Sequence, residues 1–394
     1  MNSSAPHNAH EYPPRRKMLI RQLAVVIALA TACVLAGTEL FQVTPESTVD
    51  DPVQSPSASA APDSGPLLIK HGWDIPDVSF VTSNAKSMER MPFDGVVMRM
   101  DDGLSSAVQR QEPVGHEVFR NALAPLKNAD LKSLKHNFLI VYSTPAGDIF
   151  DNWSTPLDNY SNMAKAASAT DLEGIFFDNE EYFGNALDED ANCSGERTID
   201  QCRTQAFHRG HNVMNAILSS WPDARILIAR GPYISAPETA DHFNKKGMEF
   251  NDIARANVLR GDFAAGMASA TVGKNAQYID GGQVYSARTI QNFEALRSWQ
   301  KYGSLTPGSL IPKDLRPHWP GSTSAAFGVY DASPSAPAMD HEVWGTTLTN
   351  ALHTTDRYVW AYTERHDWWG TGHPNTSVPS TWVAAARQAR DAAG

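Results

Sequence analysis

From Leu67 onward, short apolar runs alternate with stretches whose apolar residues recur at helical spacing. The runs are Leu67–Trp73, Phe93–Met100, Asn137–Tyr142, Glu173–Phe177, Arg225–Ala229, Ala276–Ile279, Ala325–Val329 and Tyr358–Tyr362. Polar or turn-forming residues bound each of them, as expected of strands buried on both faces in a parallel sheet. The spacing predicts helices over Val78–Met91, Gly115–Ala129, Asn159–Ala169, Arg203–Ser220, Phe250–Met267, Thr289–Tyr302, His341–Leu352 and Thr381–Ala392. Strand and helix in alternation imply βαβ units, and eight repeats predict a closed (β/α)8 barrel, the TIM barrel, over residues 67–394. No GxGxxG or GxxxxGK follows any strand, which counts against dinucleotide or ATP binding.

The N-terminal part has a different pattern. Arg15-Arg16-Lys17 precedes the apolar stretch Leu23–Ala36, the arrangement of a signal peptide or of a membrane or lipid anchor over residues 1–39. Residues 40–66 are rich in Ser, Pro and Ala and predict a disordered linker. The expected location is therefore periplasmic, cell-surface or secreted, with a membrane anchor through 19–37 if that segment is retained. Cys33 falls in the signal, which leaves Cys193 and Cys202 to staple a short polar loop in an oxidising compartment. A zinc site there would need further ligands, so no metal and no cofactor is expected.

Composition narrows the partners. A formal charge of −11 in 394 residues argues against a nucleic-acid footprint. Ten tryptophans and eleven tyrosines would suit stacking against sugar rings or an aromatic core.

In a barrel, the carboxyl ends of the strands converge on one face. Residues falling there are Asp74, Arg99, Asp101, Tyr142, Ser143, Asp178, Asn179, Glu180, Arg230, Asp280, Tyr330, Asp331 and Glu364, with Trp73, Trp153, Trp360, Trp368 and Trp369 as rim candidates. This set of carboxylates, arginines and aromatics matches the needs of glycoside hydrolysis, in which one carboxyl protonates the departing oxygen and another attacks carbon or activates water. Asp178 and Glu180, two apart on one strand, point the same way, and a like-charged neighbour together with partial burial would raise the pKa of one of them and keep it protonated as an acid. Glu180 is then the expected acid, Asp178 its tuner or a substrate ligand, and Glu364 the opposing nucleophile or base. Substrate contacts are expected from Asp74, Arg99, Asp101, Tyr142, Asn179, Arg230, Asp280, Tyr330, Asp331, Trp360 and Trp368. An ion pair to Arg99, Arg230 or Arg365 is the structural alternative for any one carboxylate. His71, His366 and His373 lack metal-ligand spacing and read as loop or core histidines.

Four stretches, GWDIPD at Gly72–Asp77, FDG at Phe93–Gly95, FDNEEY at Phe177–Tyr182 and YVWAYTERHDWW at Tyr358–Trp369, resemble exported bacterial barrel-type glycoside hydrolases. Asn179-Glu180 resembles the Asn-Glu pair of the large clan of retaining glycosidases, a likeness that implies an acid/base role for Glu180. That clan carries its nucleophile on strand seven, whereas Glu364 follows the eighth run here. Asp178-x-Glu180 also resembles the end of the chitinase-type DxxDxDxE motif, although Glu173 and Phe176 replace the upstream aspartates. Two other classes remain open: a non-catalytic carbohydrate-binding barrel, and a metal-dependent deacetylase or phosphoesterase.

Overall fold

The computed structural model describes residues 65–143, 148–180, 187–193, 195–232, 258–303, 309, 311–332 and 339–394. The expected signal segment, nearly all of the linker, and Glu181 and Tyr182 lie outside these residues. Among the described residues, no helix is long and apolar enough to cross a membrane.

Nine strand segments form one parallel sheet: β1 (Leu67–Gly72), β2 (Gly95–Met98), β3 (Phe138–Tyr142), β4 (Gly174–Asp178), β5 (Arg225–Ile228), β6 (Gln277–Asp280), β7 (Thr323–Ala325), β8 (Phe327–Tyr330) and β9 (Tyr358–Thr363). Their order is β7-β6-β5-β4-β3-β2-β1-β9-β8. The seventh predicted run is thus two segments separated only by Ala326. Its first half pairs with β6 and its second half with β9. At the switch, Ala326 donates its N–H to the Asp280 carbonyl at 2.8 Å. One continuous piece of chain therefore joins the two ends of the sheet. Eight positions surround the axis, as a (β/α)8 barrel requires.

Helices lie between the strands: α1 (Val78–Met88), α2 (His116–Leu123), α3 (Ser154–Ala167), α4 (Ile199–Ser220), α5 (Val258–Ser269), α6 (Ile290–Tyr302), α7 (His341–Thr354) and α8 (Ser380–Ala393). Side-chain caps start several of them. Asp77 accepts the Phe80 N–H, and Thr198 forms a capping box with Gln201. The third helix starts five residues before its predicted Asn159, because Pro156 fits a first turn where no N–H is needed. The helix predicted over Gly115–Ala129 stops at Leu123 and tightens into a 3₁₀ turn that holds Pro125. α4 and α5 meet at glycines: a Cβ on Gly210 would lie 1.9 Å from the Phe263 carbonyl, and one on Gly266 2.0 Å from that of Phe207.

Strand parity divides the core. Leu68, Val96, Ile175 and Ile226 pack outward against the helices. Ile69, Val97, Ile140, Phe176, Leu227 and Trp360 fill the barrel interior. Below them the amino-terminal end is closed by Glu173, which accepts from the Tyr358 hydroxyl at 2.5 Å and from Arg225 at 2.5 Å and meets His136 at 3.0 Å. Burial opposes its ionisation, but these partners outweigh it and hold Glu173 down to about 2.

Candidate active site

Parity decides which strand-end residues face the axis. Continuing β1 inward through Leu67 and Ile69 brings His71 to the upper layer. The same alternation places Arg99 above Val97, Tyr142 above Ile140, Asp178 above Phe176 and Tyr362 above Trp360. Tyr330 joins them from β8, its ring 5.4 Å from that of Tyr362. The mouth is thus a ring of one carboxyl, one guanidinium, one imidazole and three phenols over an apolar floor.

Asp178 is buried, at 6% exposure, and its Oδ1 accepts the Glu180 N–H at 3.0 Å. Burial first, and then the charge of Glu180, push its carboxyl up to about 7, against the opposing pull of Arg230 and Arg260. The two ends of the barrel therefore treat an acid in opposite ways: Glu173 is pulled down by its partners and Asp178 is pushed up by burial and the charge of Glu180. The raised group is Asp178, the residue expected to be the tuner. Its partner Glu180 is ion-paired with Arg230. Gln283 ties the group together: its Oε1 accepts from Arg230 Nε at 3.2 Å, and its Nε2 donates to Glu180 Oε1 at 3.3 Å and to the Tyr285 hydroxyl at 3.2 Å.

Across the mouth, Glu364 accepts a hydrogen bond from the Tyr330 hydroxyl. Tyr362 relates the two sides. Burial, with the charges of Glu180, Asp178 and Glu364, raises its pKa, so the phenol keeps its proton among three carboxyl groups. Trp73, 45% exposed, stands at the edge with its side chain hydrogen-bonded to Tyr362. The Tyr285 ring lies 4.8 Å from Tyr330 and 6.0 Å from Tyr362, completing an aromatic wall.

Several expected substrate contacts are spent on the fold instead. Asp74 is fully buried, ion-paired with Lys70, and accepts the Trp368 N–H at 2.8 Å. Asp101 accepts from the Ser79 hydroxyl and serves the start of α1. Asn179 has its amide committed to the Arg230 backbone, donating to the carbonyl at 2.8 Å and accepting the N–H at 3.0 Å. Asp280 points outward by parity; its Oδ1 accepts from Gly282 N at 3.1 Å and Gln300 Nε2 at 3.2 Å. Asp331 is also fully buried and accepts the Glu364 N–H at 2.9 Å and the Arg365 N–H at 3.2 Å, so it positions Glu364.

Among the tryptophans, Trp360 is an interior residue whose Nε1 donates to the Gly281 carbonyl at 2.7 Å. Trp368 packs between Phe93 and Trp344, and Trp153 and Trp369 are buried as well. None of these four offers a platform to a ligand. Cys193 and Cys202 are joined in a disulfide, with Cα atoms 6.0 Å apart.

Four residues of the site were absent from the sequence-based expectation: Arg260, Gln283, Tyr285 and Tyr362. The signal for Gln283 and Tyr285 was the QVY that follows Gly281-Gly282, polar and aromatic residues in the loop just past a strand end. Tyr362 could have been found by counting parity back from Glu364. No group of three His, Cys, Asp or Glu side chains arranged to hold a metal ion occurs among the described residues.

No family model matches the chain, and no curated protein matches it. Among solved structures, it is similar to a 3-keto-D-glucoside 4-epimerase from E. coli at 11% identity, with 83% of this chain and 100% of that one covered and a TM-score of 0.40. It is also similar to a glucosidase from Croceicoccus marinus at 9% identity, with 83% and 67% covered and a TM-score of 0.44. An exo-beta-1,4-mannosidase from Opitutaceae bacterium strain TAV5 aligns at 12% identity, with 83% and 60% covered and a TM-score of 0.43. With TM-scores below 0.5, none of these bears on what this chain does.

Proposed function

We propose that the chain is a glycoside hydrolase acting on a poly- or oligosaccharide. The observation that carries this reading is the buried Asp178, pushed up to about 7 beside Glu180 at the mouth of an aromatic-walled barrel. In this reading Asp178 and Glu180 hold one proton between them. Glu180, the more exposed member, delivers it to the departing glycosidic oxygen. Glu364, oriented by Tyr330 and Asp331, acts at the anomeric carbon or on a water. Arg99, Tyr142, Arg230 and Tyr330 supply hydrogen bonds to hydroxyls, and Trp73 with the tyrosines supplies the stacking surface. No cofactor is invoked. A location outside the cytoplasm, with any membrane contact through residues 19–37, is part of this reading; the Cys193–Cys202 disulfide and the expected export signal support it.

A second reading, a non-catalytic carbohydrate-binding barrel, draws on the pairing of Glu180 with Arg230 and of Glu364 with Tyr330, which satisfies both carboxylates without substrate. A glycan panel separates the two. Hydrolysis by the wild type should fall roughly 10²–10⁴-fold in Glu180→Gln, and by a similar order in Glu364→Gln, with affinity retained. Binding without turnover in the wild type would move the second reading to first place, and neither binding nor turnover would overturn both.

A further inference from the structure

His71 is the inward-facing polar residue at the top of β1, at 6% exposure. Its ring packs against Phe176 at 4.7 Å, Tyr362 at 5.2 Å and Trp360 at 5.9 Å. Its Nδ1 is buried with no hydrogen-bond partner among the described residues. A buried polar atom left unsatisfied is destabilising, and native structures seldom keep one without a reason. A phenylalanine would fill the same space against the same three rings at no such cost.

Position supplies the reason. The ring touches Tyr362, the phenol lying in the field of Asp178, Glu180 and Glu364. It therefore lies in the layer of Asp178 and Tyr362, beside the place where those carboxyls would meet a sugar. Among the side chains that form the floor, Phe176 has no hydrogen-bonding group, and Trp360 has spent its N–H on Gly281.

We propose that His71 is the innermost specificity-determining contact of the site, its imidazole hydrogen-bonding one hydroxyl of the sugar ring seated over Tyr362. The proposal rests on the glycoside reading above. Burial, with the nearby charge of Lys70, pulls the imidazole down to about 3, so the ring is neutral and presents one donor nitrogen and one acceptor nitrogen. A site built this way discriminates against a sugar that lacks the matching hydroxyl, because the buried partner then stays unpaired.

The test compares wild type with His71→Phe by calorimetric titration of gluco-, manno-, galacto- and N-acetylgluco-oligosaccharides, with thermal melts alongside. The variant should melt at the same or a higher temperature and lose affinity at least about tenfold for the preferred sugar. Wild type and variant should bind equally well to the deoxy-sugar lacking the contacted hydroxyl. As a measurement independent of the variant, the ¹⁵N shifts of the His71 ring should move when that sugar is added to the wild type. Equal affinity of both proteins for every sugar, or unmoved ring shifts, would overturn the His71 assignment while leaving the glycoside reading in place. Failure of the wild type to bind any sugar of the panel would overturn both.

Discussion

Asp178→Asn removes an ionisation while preserving the side chain's shape and the oxygen that accepts the Glu180 N–H. In the folded protein, burial and the charge of Glu180 raise the carboxyl from 3.8 to about 7. At about 1.4 kcal/mol per pK unit, ionising it in place costs about 4 kcal/mol. Because the folded value lies above the unfolded one, the stability linked to this proton is fully present below pH about 4. It is lost as the pH rises towards about 7 and stays lost above that. The asparagine variant has no such loss. Urea unfolding of both proteins, followed by circular dichroism at several pH values from about 4 to about 8.5, reads the effect of the Asp178 ionisation together with the change its removal makes in the neighbouring Glu180. The stability of Asp178→Asn relative to wild type should rise by about 4 kcal/mol across that range. A gap that does not change with pH would refute the reasoning, and the protonated acid with it.

Two further substitutions test the scaffold around the site. Gly328→Ala places a Cβ 2.5 Å from the Trp360 ring, and the overpacking should cost about 1–3 kcal/mol, read as a lower melting temperature. Asn179→Ala strips the Arg230 backbone of two hydrogen bonds and should destabilise by about 1–3 kcal/mol. The Arg230 backbone would be less firmly fixed, although its pairing with Glu180 and Gln283 remains, so kcat on the preferred glycan should fall modestly and more than KM changes.

The barrel was legible because its strands are buried on both faces, which leaves uninterrupted apolar runs such as NFLIVY and RILIA in the chain. Even the short β6 showed as Ala276–Ile279. The site was less legible, because lying at a strand end is not the same as facing the axis. Asp178 and Asp280 each close an apolar run, yet one register position turns Asp178 into the mouth and Asp280 out towards Gln300 of α6. The sign of the proton's preference was also hidden. Arg230, some fifty residues downstream of Glu180, is brought against it only by the β4–β5 pairing, and that contact leaves Asp178 as the group that holds a proton. Aromatic content misled for a related reason. Trp360 and Trp368 read as ligand platforms because they flank Glu364, but parity sends the first into the barrel core and packing sends the second between Phe93 and Trp344 of α7.

Trp73 gives the molecule an optical property of its own. Among the described tryptophans it is the most exposed, with Trp299 half-buried and the others buried, and it stands at the edge of the mouth, hydrogen-bonded to the phenol between the candidate acids. A dissolved quencher such as acrylamide will therefore reach its indole first, at the red edge of the emission, while the buried tryptophans emit to the blue and stay shielded. Occupancy of the mouth is then visible in unlabelled protein as a blue shift and a loss of quenching, so ligands can be screened by fluorescence before any reaction is known.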